Sequence, residues 1–211
     1  MTLNIVRSLL LMGLMLLASA PGLATLFPYH VTIDTTSFAA TNGAVYLQFD
    51  PGLNADPASV SISAFEIVAP GTLLSFPAPE FTAGVTGGLD SLPLTIPNAL
   101  ATNYYLHYVT FGTGMSFRVT FDLPDPLTGD SGSTFSFGLT ADDGWTPILT
   151  DDPSGFIGQI GYDRTGVFTS SLLSQAGSIY EVPEPASLTL VGIGLAAGLA
   201  CLARRLNRPV R

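Results

Sequence analysis

The sequence predicts an all-β chain, folded as a two-sheet β-sandwich of jelly-roll type and flanked by an apolar segment at each end. Three observations carry this expectation. Between residues 30 and 171 the apolar residues recur with period two rather than with the helical period of 3.6. The runs that do so are short, rich in β-branched and aromatic residues, and separated by Gly, Pro, Asn and Asp, which interrupt a ladder. No amphipathic helical pattern is found in that stretch, apart from one short helical turn expected at Ser171–Ala176. A middle of about 155 residues is a usual size for one domain with a sizeable core. Short alternating strands at this spacing favour two open sheets over a closed barrel, and the lack of a 20- to 50-residue repeat excludes a solenoid or propeller.

Taken in order, strands are expected at His30–Thr35, Ala44–Phe49, Ser59–Val68, Leu92–Ile96, Tyr104–Phe111, Met115–Asp122, Thr134–Thr140, Phe156–Tyr162 and Val167–Ser171. Between them lie Asp50-Pro51-Gly52, Asp56-Pro57, Pro70-Gly71, Pro77-Ala78-Pro79, Gly87-Gly88 and Asp122-Leu123-Pro124-Asp125-Pro126. Proline has no N–H to give to a ladder and glycine weakens one, so each of these is expected to end a strand. Side chains alternate across a strand, so Met115, Phe117, Val119 and Phe121 share one face while Ser116, Arg118 and Thr120 share the other. The same reading places Phe135, Phe137 and Leu139 in the core.

The two ends have a different character. Arg7 and the amino terminus precede an apolar run from Ser8 to Leu17, followed by the small residues Ala18-Ser19-Ala20 and Gly22-Leu23-Ala24. That is the pattern of a secretory signal peptide over residues 1–24. Pro21 constrains the bond after Ala20, so signal peptidase is expected to cut after Ala24 and the mature chain to begin at Thr25. At the other end, residues 181–211 open on Val182-Pro183-Glu184-Pro185, continue as an uncharged apolar segment from Ala186 to Ala203, and close on Arg204, Arg205, Arg208 and Arg211. An apolar helix of that length reaches roughly 27 Å, enough for the hydrocarbon core of a bilayer. The arginines follow it, so the positive-inside rule places the C-terminus in the cytoplasm and residues 25–180 outside.

The order of Pro183-Glu184-Pro185, a Gly/Ala/Leu-rich helix and the Arg204-Arg205 cluster resembles the PEP-CTERM sorting signal of Gram-negative bacteria. The resemblance covers the tail alone. It implies recognition by an exosortase, a membrane-embedded cysteine transpeptidase-like enzyme, with cutting near Pro-Glu-Pro and release to the cell surface or extracellular matrix. It also implies an association with exopolysaccharide.

Charge and cysteine content narrow the possibilities for the exported domain. The chain has a formal net charge of −9 and no lysine, and between the leader and the tail Arg118 and Arg164 are the sole cations. Such a surface repels phosphate backbones, so nucleic acid is excluded as a partner, whereas divalent cations are plausible counterions. Cys201, the single cysteine, lies in the apolar tail segment, so no disulfide can brace the domain and packing must hold it.

Two constellations point to chemistry. Asp142, Asp143, Asp151 and Asp152 crowd into loop-like sequence and form a candidate calcium site, since oxygen ligands on a flexible loop suit Ca²⁺, with ordinary solvated turn residues as the competing reading. Asp122, Asp125 and Asp130 form a second acidic loop. Trp145, Tyr104 and Tyr108 are candidate glycan contacts, because flat aromatic faces beside carboxylates hold sugar rings. On the strand Tyr104-Tyr105-Leu106-His107-Tyr108, either Tyr104 with Tyr108 or Tyr105 with His107 can form one patch, and core packing competes with both. No catalytic residue is assigned: His30 and His107 are the only histidines, and neither a Gly-x-Ser-x-Gly elbow nor an exported cysteine nucleophile is present. The expected function is a non-catalytic surface or matrix protein. The alternative is a glycosidase-like carbohydrate-active enzyme using a pair of carboxylates.

Overall fold

The computed structural model describes residues 27–182. The signal peptide expected at 1–24, Pro183, Glu184, Pro185, the segment Ala186–Ala203 and Arg204 and Arg205 lie outside the described residues. Among the described residues no helix is long and apolar enough to cross a membrane.

The described chain is almost entirely strand, with a single short 3-10 turn at Thr36–Phe38. The strands are β1 (Phe27–Asp34), β2 (Asn42–Pro51), β3 (Ser59–Ile67), β4 (Thr72–Leu73), β5 (Glu80–Phe81), β6 (Thr86–Gly88), β7 (Ser91–Pro97), β8 (Tyr104–Thr110), β9 (Gly114–Asp122), β10 (Ser133–Ala141), β11 (Pro147–Ile148), β12 (Gly158–Tyr162), β13 (Phe168–Leu172) and β14 (Gly177–Glu181). One sheet runs β14-β1-β9-β3-β7-β6. The other runs β13-β12-β10-β2-β8-β4, with β11 added to β10 and β5 to β8. Every pairing is antiparallel.

The inner faces of the two sheets meet in one apolar core. Met115, Phe117, Val119 and Phe121 of β9 are buried, as alternation predicts, and so are Phe135, Phe137 and Leu139 of β10. Rings from opposite sheets meet edge to face: Phe117 and Phe137 have centroids 5.7 Å apart at 85°, and Phe49 and Phe121 lie 5.9 Å apart at 70°. This arrangement sets the positive ring edge against the negative ring face and fixes the spacing of the layers.

The long loops are tied down by polar groups as well as by Leu123 and Leu127, which pack against the core. Asp56 accepts hydrogen bonds from Thr128 N at 2.6 Å, Thr128 Oγ1 at 2.8 Å and Gly129 N at 2.7 Å, joining the β2–β3 loop to the β9–β10 loop. Asp130, in the second acidic loop, accepts from Asn54 Nδ2 at 3.0 Å. Beneath them the buried Asn98 donates to Asp56 O at 2.8 Å and to Ser133 Oγ at 2.9 Å, and accepts from Ala58 N at 2.8 Å.

Two features differ from the sequence expectation. The short turn expected at Ser171–Ala176 is met only over its second half: β13 continues through Leu172, and the chain then bends at 173–174 and turns at 175–176 without forming a helix. Leu173 N and Ser174 N both donate to Ile157 O, and Ser174 Oγ bonds Leu149 O, so the bend before this turn is held to its neighbours. A further strand, β14, follows and pairs with β1. It continues through Glu181, so the border expected between residues 180 and 181 falls inside this strand.

Candidate functional site

The outer face of the second sheet carries a groove. Because Val45, Leu47 and Phe49 of β2 point into the core, Tyr46 and Gln48 point out. On β8 the same alternation buries Tyr105, His107 and Val109 and leaves Tyr104, Leu106 and Tyr108 on the outer side. Gly138 and Thr140 of β10 complete the floor. The cavity measures about 340 Å³, and its walls include Glu80 from β5, the turn at Gly144-Trp145, Pro147, and the turn at Ser154-Gly155-Phe156.

Aromatic rings dominate the lining. Tyr46 lies between Tyr104, 5.7 Å away at 30°, and Phe156, 6.0 Å away at 19°, so three nearly parallel rings make a continuous row. Trp145 stands at the rim with 82% of its surface exposed. A side chain this apolar gains by covering its face.

The walls stay close to the sheet because glycines allow it. A Cβ on Gly138 would sit 2.8 Å from Gly155 O, and one on Gly144 would sit 2.7 Å from the Tyr108 hydroxyl. Gly144 also has φ of +75°, a conformation that L side chains rarely adopt. Both turns are locked by an aspartate at their start. Asp143 Oδ1 accepts from Trp145 N and Thr146 N, each at 2.8 Å, and its other oxygen accepts from the Thr146 hydroxyl. Asp152 Oδ1 accepts from Ser154 N at 2.9 Å and from the Ser154 hydroxyl.

These contacts favour turn residues over calcium ligands. Among the described residues no three of His, Cys, Asp or Glu gather into a group able to hold a metal ion. Asp142, Asp143, Asp151 and Asp152 therefore do not converge on a cation. Asp143 and Asp152 instead spend their oxygens on donors two and three residues ahead, in Asx-type turns. The Thr146 hydroxyl and then the Thr146 and Trp145 backbone hold the Asp143 carboxyl below the usual carboxylate range, and the Ser154 hydroxyl and backbone do the same for Asp152. In effect the two aspartates position the walls that carry Trp145 and Phe156.

Electrostatically the groove is uncharged apart from one carboxylate, Glu80. The Tyr46 hydroxyl donates to Gln48 Oε1 at 2.9 Å, and the Gln48 amide donates in turn to Asp50. Burial, followed by the nearby charge of Asp50 and by Tyr104, pushes the Tyr46 hydroxyl up to about 12, so it stays protonated at neutral pH. Thr140 borders the groove with 8% of its surface exposed, and its hydroxyl has no hydrogen-bond partner.

The structure thus brings Tyr104, Tyr108 and Trp145 together in one groove. Tyr105 and His107 face the core. His107 bonds the Tyr105 hydroxyl and Leu74 O, and His30 stacks on Tyr180 at 5.0 Å and 22° on the other sheet. Tyr46, Gln48, Glu80 and Phe156 were not singled out from sequence. Tyr46 and Gln48 carry a local signal, since they alternate with core residues, but their partnership with β8 depends on sheet order.

Residues 181–205 match the PEP-CTERM protein-sorting motif. The match starts at Glu181, the last residue of β14, and spans the Pro-Glu-Pro, the apolar segment and Arg204-Arg205. Neither a curated protein nor a solved structure matches the chain.

Proposed function

We propose that this chain is an exported, non-catalytic protein of the cell surface or extracellular matrix whose β domain holds a glycan in the aromatic groove. In this reading signal peptide 1–24 directs export and signal peptidase removes it, leaving a domain that runs from residue 25 through the end of β14. The tail at 181–211 anchors the chain in the inner membrane with its C-terminus in the cytoplasm, until an exosortase acts near Pro183-Glu184-Pro185. The sorting motif over 181–205 supports the export and exosortase steps.

The observation that carries the binding reading is the convergence of Tyr104, Tyr108 and Trp145 with Tyr46 and Phe156 around one open groove. Sugar rings present apolar C–H faces to aromatic planes and hydroxyls to neighbouring polar groups, and this lining offers both. An extracellular polysaccharide is the partner that fits an exported domain of this kind. The glycosidase alternative is disfavoured at this groove, because hydrolysis takes two carboxyl groups about 5 to 9.5 Å apart and Glu80 is the one carboxylate in the lining.

The strand order supports the jelly-roll reading of the fold. Strands β1-β9-β3-β7 lie side by side in one sheet and β2-β8-β4 in the other, with β5 also on β8, so the chain winds across the two layers as two Greek keys do. Strands β10–β14 then extend both sheets.

The test is a binding and hydrolysis screen on the full-length protein, held in a detergent without sugar headgroups. Saturable binding to an oligosaccharide without cleavage is the expected result. Cleavage that is lost in Glu80→Gln would establish the enzyme instead.

A further inference from the structure

We infer that the groove selects glycans whose sugars carry no acid groups, with Glu80 as the residue that excludes uronates. This rests on the glycan-binding reading and adds the chemical class of the ligand. The only charge in the lining is the Glu80 carboxylate. A second, Asp50, lies just beyond the lining on the same outer face of β2, where it holds the Gln48 amide. The two cations of the domain are elsewhere: Arg118 sits on β9 among outward-facing residues of the opposite sheet, and Arg164 lies in the turn between β12 and β13.

An acidic sugar entering the groove would give up water next to Glu80 and find no arginine, lysine or free amide to replace it. The one lining amide, Gln48, is already turned onto Asp50, and its carbonyl oxygen already accepts from Tyr46. Burying a carboxylate beside a like charge without a cationic partner is unfavourable in both Coulombic and desolvation terms. A neutral sugar meets none of this. Its hydroxyls can donate to Glu80, which sits in the lining. Its apolar faces lie on the row of Phe156, Tyr46 and Tyr104 and on Trp145. Glu80 therefore attracts one class and repels the other, the usual form of a specificity device.

Trp145 is the single tryptophan of the chain, so its emission reports on the rim directly. Full-length protein in a zwitterionic detergent is titrated with β-glucan, α-glucan, mannan and galactan oligosaccharides, each beside its counterpart oxidised at the primary hydroxyl to the uronate. Calorimetry runs in parallel. The expected result is that at least one neutral series shifts Trp145 emission, while its uronate counterpart binds roughly tenfold more weakly at low salt. Added salt and Glu80→Gln should each narrow that gap. Equal or tighter binding of the uronate by the unaltered protein overturns the inference and leaves the glycan reading standing. A gap that Glu80→Gln leaves unchanged overturns the role given to Glu80. Silence toward every oligosaccharide in both readouts overturns the glycan reading, and the inference with it.

Discussion

The Tyr105 hydroxyl lies 2.8 Å from His107 Nδ1 on the buried face of β8, and its neighbours fix the direction of the hydrogen bond. His107 Nε2 is 3.1 Å from Leu74 O, and a carbonyl only accepts, so Nε2 carries the proton and Nδ1 accepts from Tyr105. Tyr105 in turn accepts from Leu89 N at 3.2 Å. The chain Leu89–Tyr105–His107–Leu74 thus staples two loops to the back of the strand whose other face forms the groove.

Tyr105→Phe should therefore destabilise the domain. It leaves an imidazole nitrogen and a backbone N–H buried without partners, which costs about 1 to 3 kcal/mol. Tyr104→Phe, on the outer face of the same strand, should cost less. Chemical denaturation of both variants checks this, and equal losses would show that the buried chain contributes no more than a surface hydroxyl.

Phe117→Ala tests the core. Its ring is fully buried and meets Phe137 across the layers, so truncation should cost about 3 to 5 kcal/mol. The unfolding midpoint should not respond to reductant, because Cys201 is the single cysteine and lies in the tail. A loss under about 1 kcal/mol would contradict the fully packed position seen for this ring.

The strand of Phe117 was legible because period-two alternation is a local signal that one buried face imposes over the length of β9. Strands β4, β5 and β11 are two residues long and β6 three, too short for any period to register. β14 escaped for another reason: Gly177, Ser178 and Glu181 are poor strand residues, and Ser178 earns its place through a 2.6 Å bond to Thr32 of β1. In the site, Tyr104, Tyr108 and Trp145 were legible by type. Tyr46 and Phe156 were not, since nothing local says that β2 lies between β8 and β10. The crowding of Asp142, Asp143, Asp151 and Asp152 fits a metal cage and a pair of Asx turns equally well. Where the threonine and serine donors point decides between them.

Acid should weaken the fold in a defined window. Asp34, Asp56, Asp143, Asp152 and Asp163 are all held below their ordinary value of 3.8 by hydrogen bonds from nearby hydroxyl and backbone donors. A carboxylate whose folded value is depressed contributes stability above the unfolded value and loses it as pH falls through the folded one. The melting temperature should thus hold steady at neutral pH and fall as pH drops below about 3.8. Asp56→Asn, which cuts the tie between the two long loops, should lower the neutral plateau and flatten that fall. A fall of unchanged steepness in this variant would mean that Asp56 is not part of the response.

Alkali should act on tyrosines. Burial raises Tyr29 and Tyr46 from 10.0 to about 12, with Glu181 and Asp50 adding to the shift respectively. A raised value means that the neutral form is favoured on folding, so the stability it contributes is intact below 10.0 and lost as pH climbs through about 12. Ultraviolet titration should show late-ionising tyrosinates, Tyr29 and Tyr46 among them beside the also raised Tyr105 and Tyr162, that become ordinary in denaturant. Tyr46→Phe should remove one of them.

Processing is tested on material released from cells. The ladder continues to the edge of the sorting motif, where Val182 N donates to Pro28 O at 2.9 Å, one residue before Pro183. Mass spectrometry of the released protein should lack residues 1–24 and Arg204–Arg211 yet retain the whole of β14. Recovery of intact C-terminal arginines from released material, or loss of β14, would contradict exosortase action near Pro-Glu-Pro.

Asp143 offers the sharpest separation between a metal loop and a wall of the groove. Its two oxygens already accept three hydrogen bonds within the turn that carries Trp145, so calcium has no vacant ligand set to complete there. Melting temperatures in millimolar calcium and in chelator should coincide, whereas a ligand bound to the folded state alone at a hundredfold excess over its Kd would add about 2.7 kcal/mol. Asp143→Ala should leave the core folded, since the carboxylate is exposed and touches no core residue, but it should free the turn at Gly144-Trp145 and weaken oligosaccharide binding. Asp142→Ala, one residue earlier, should do neither, because Trp145 and Thr146 bond to Asp143 instead. A calcium-dependent rise in melting temperature that both variants abolish would restore the metal, and with it a different purpose for the turn.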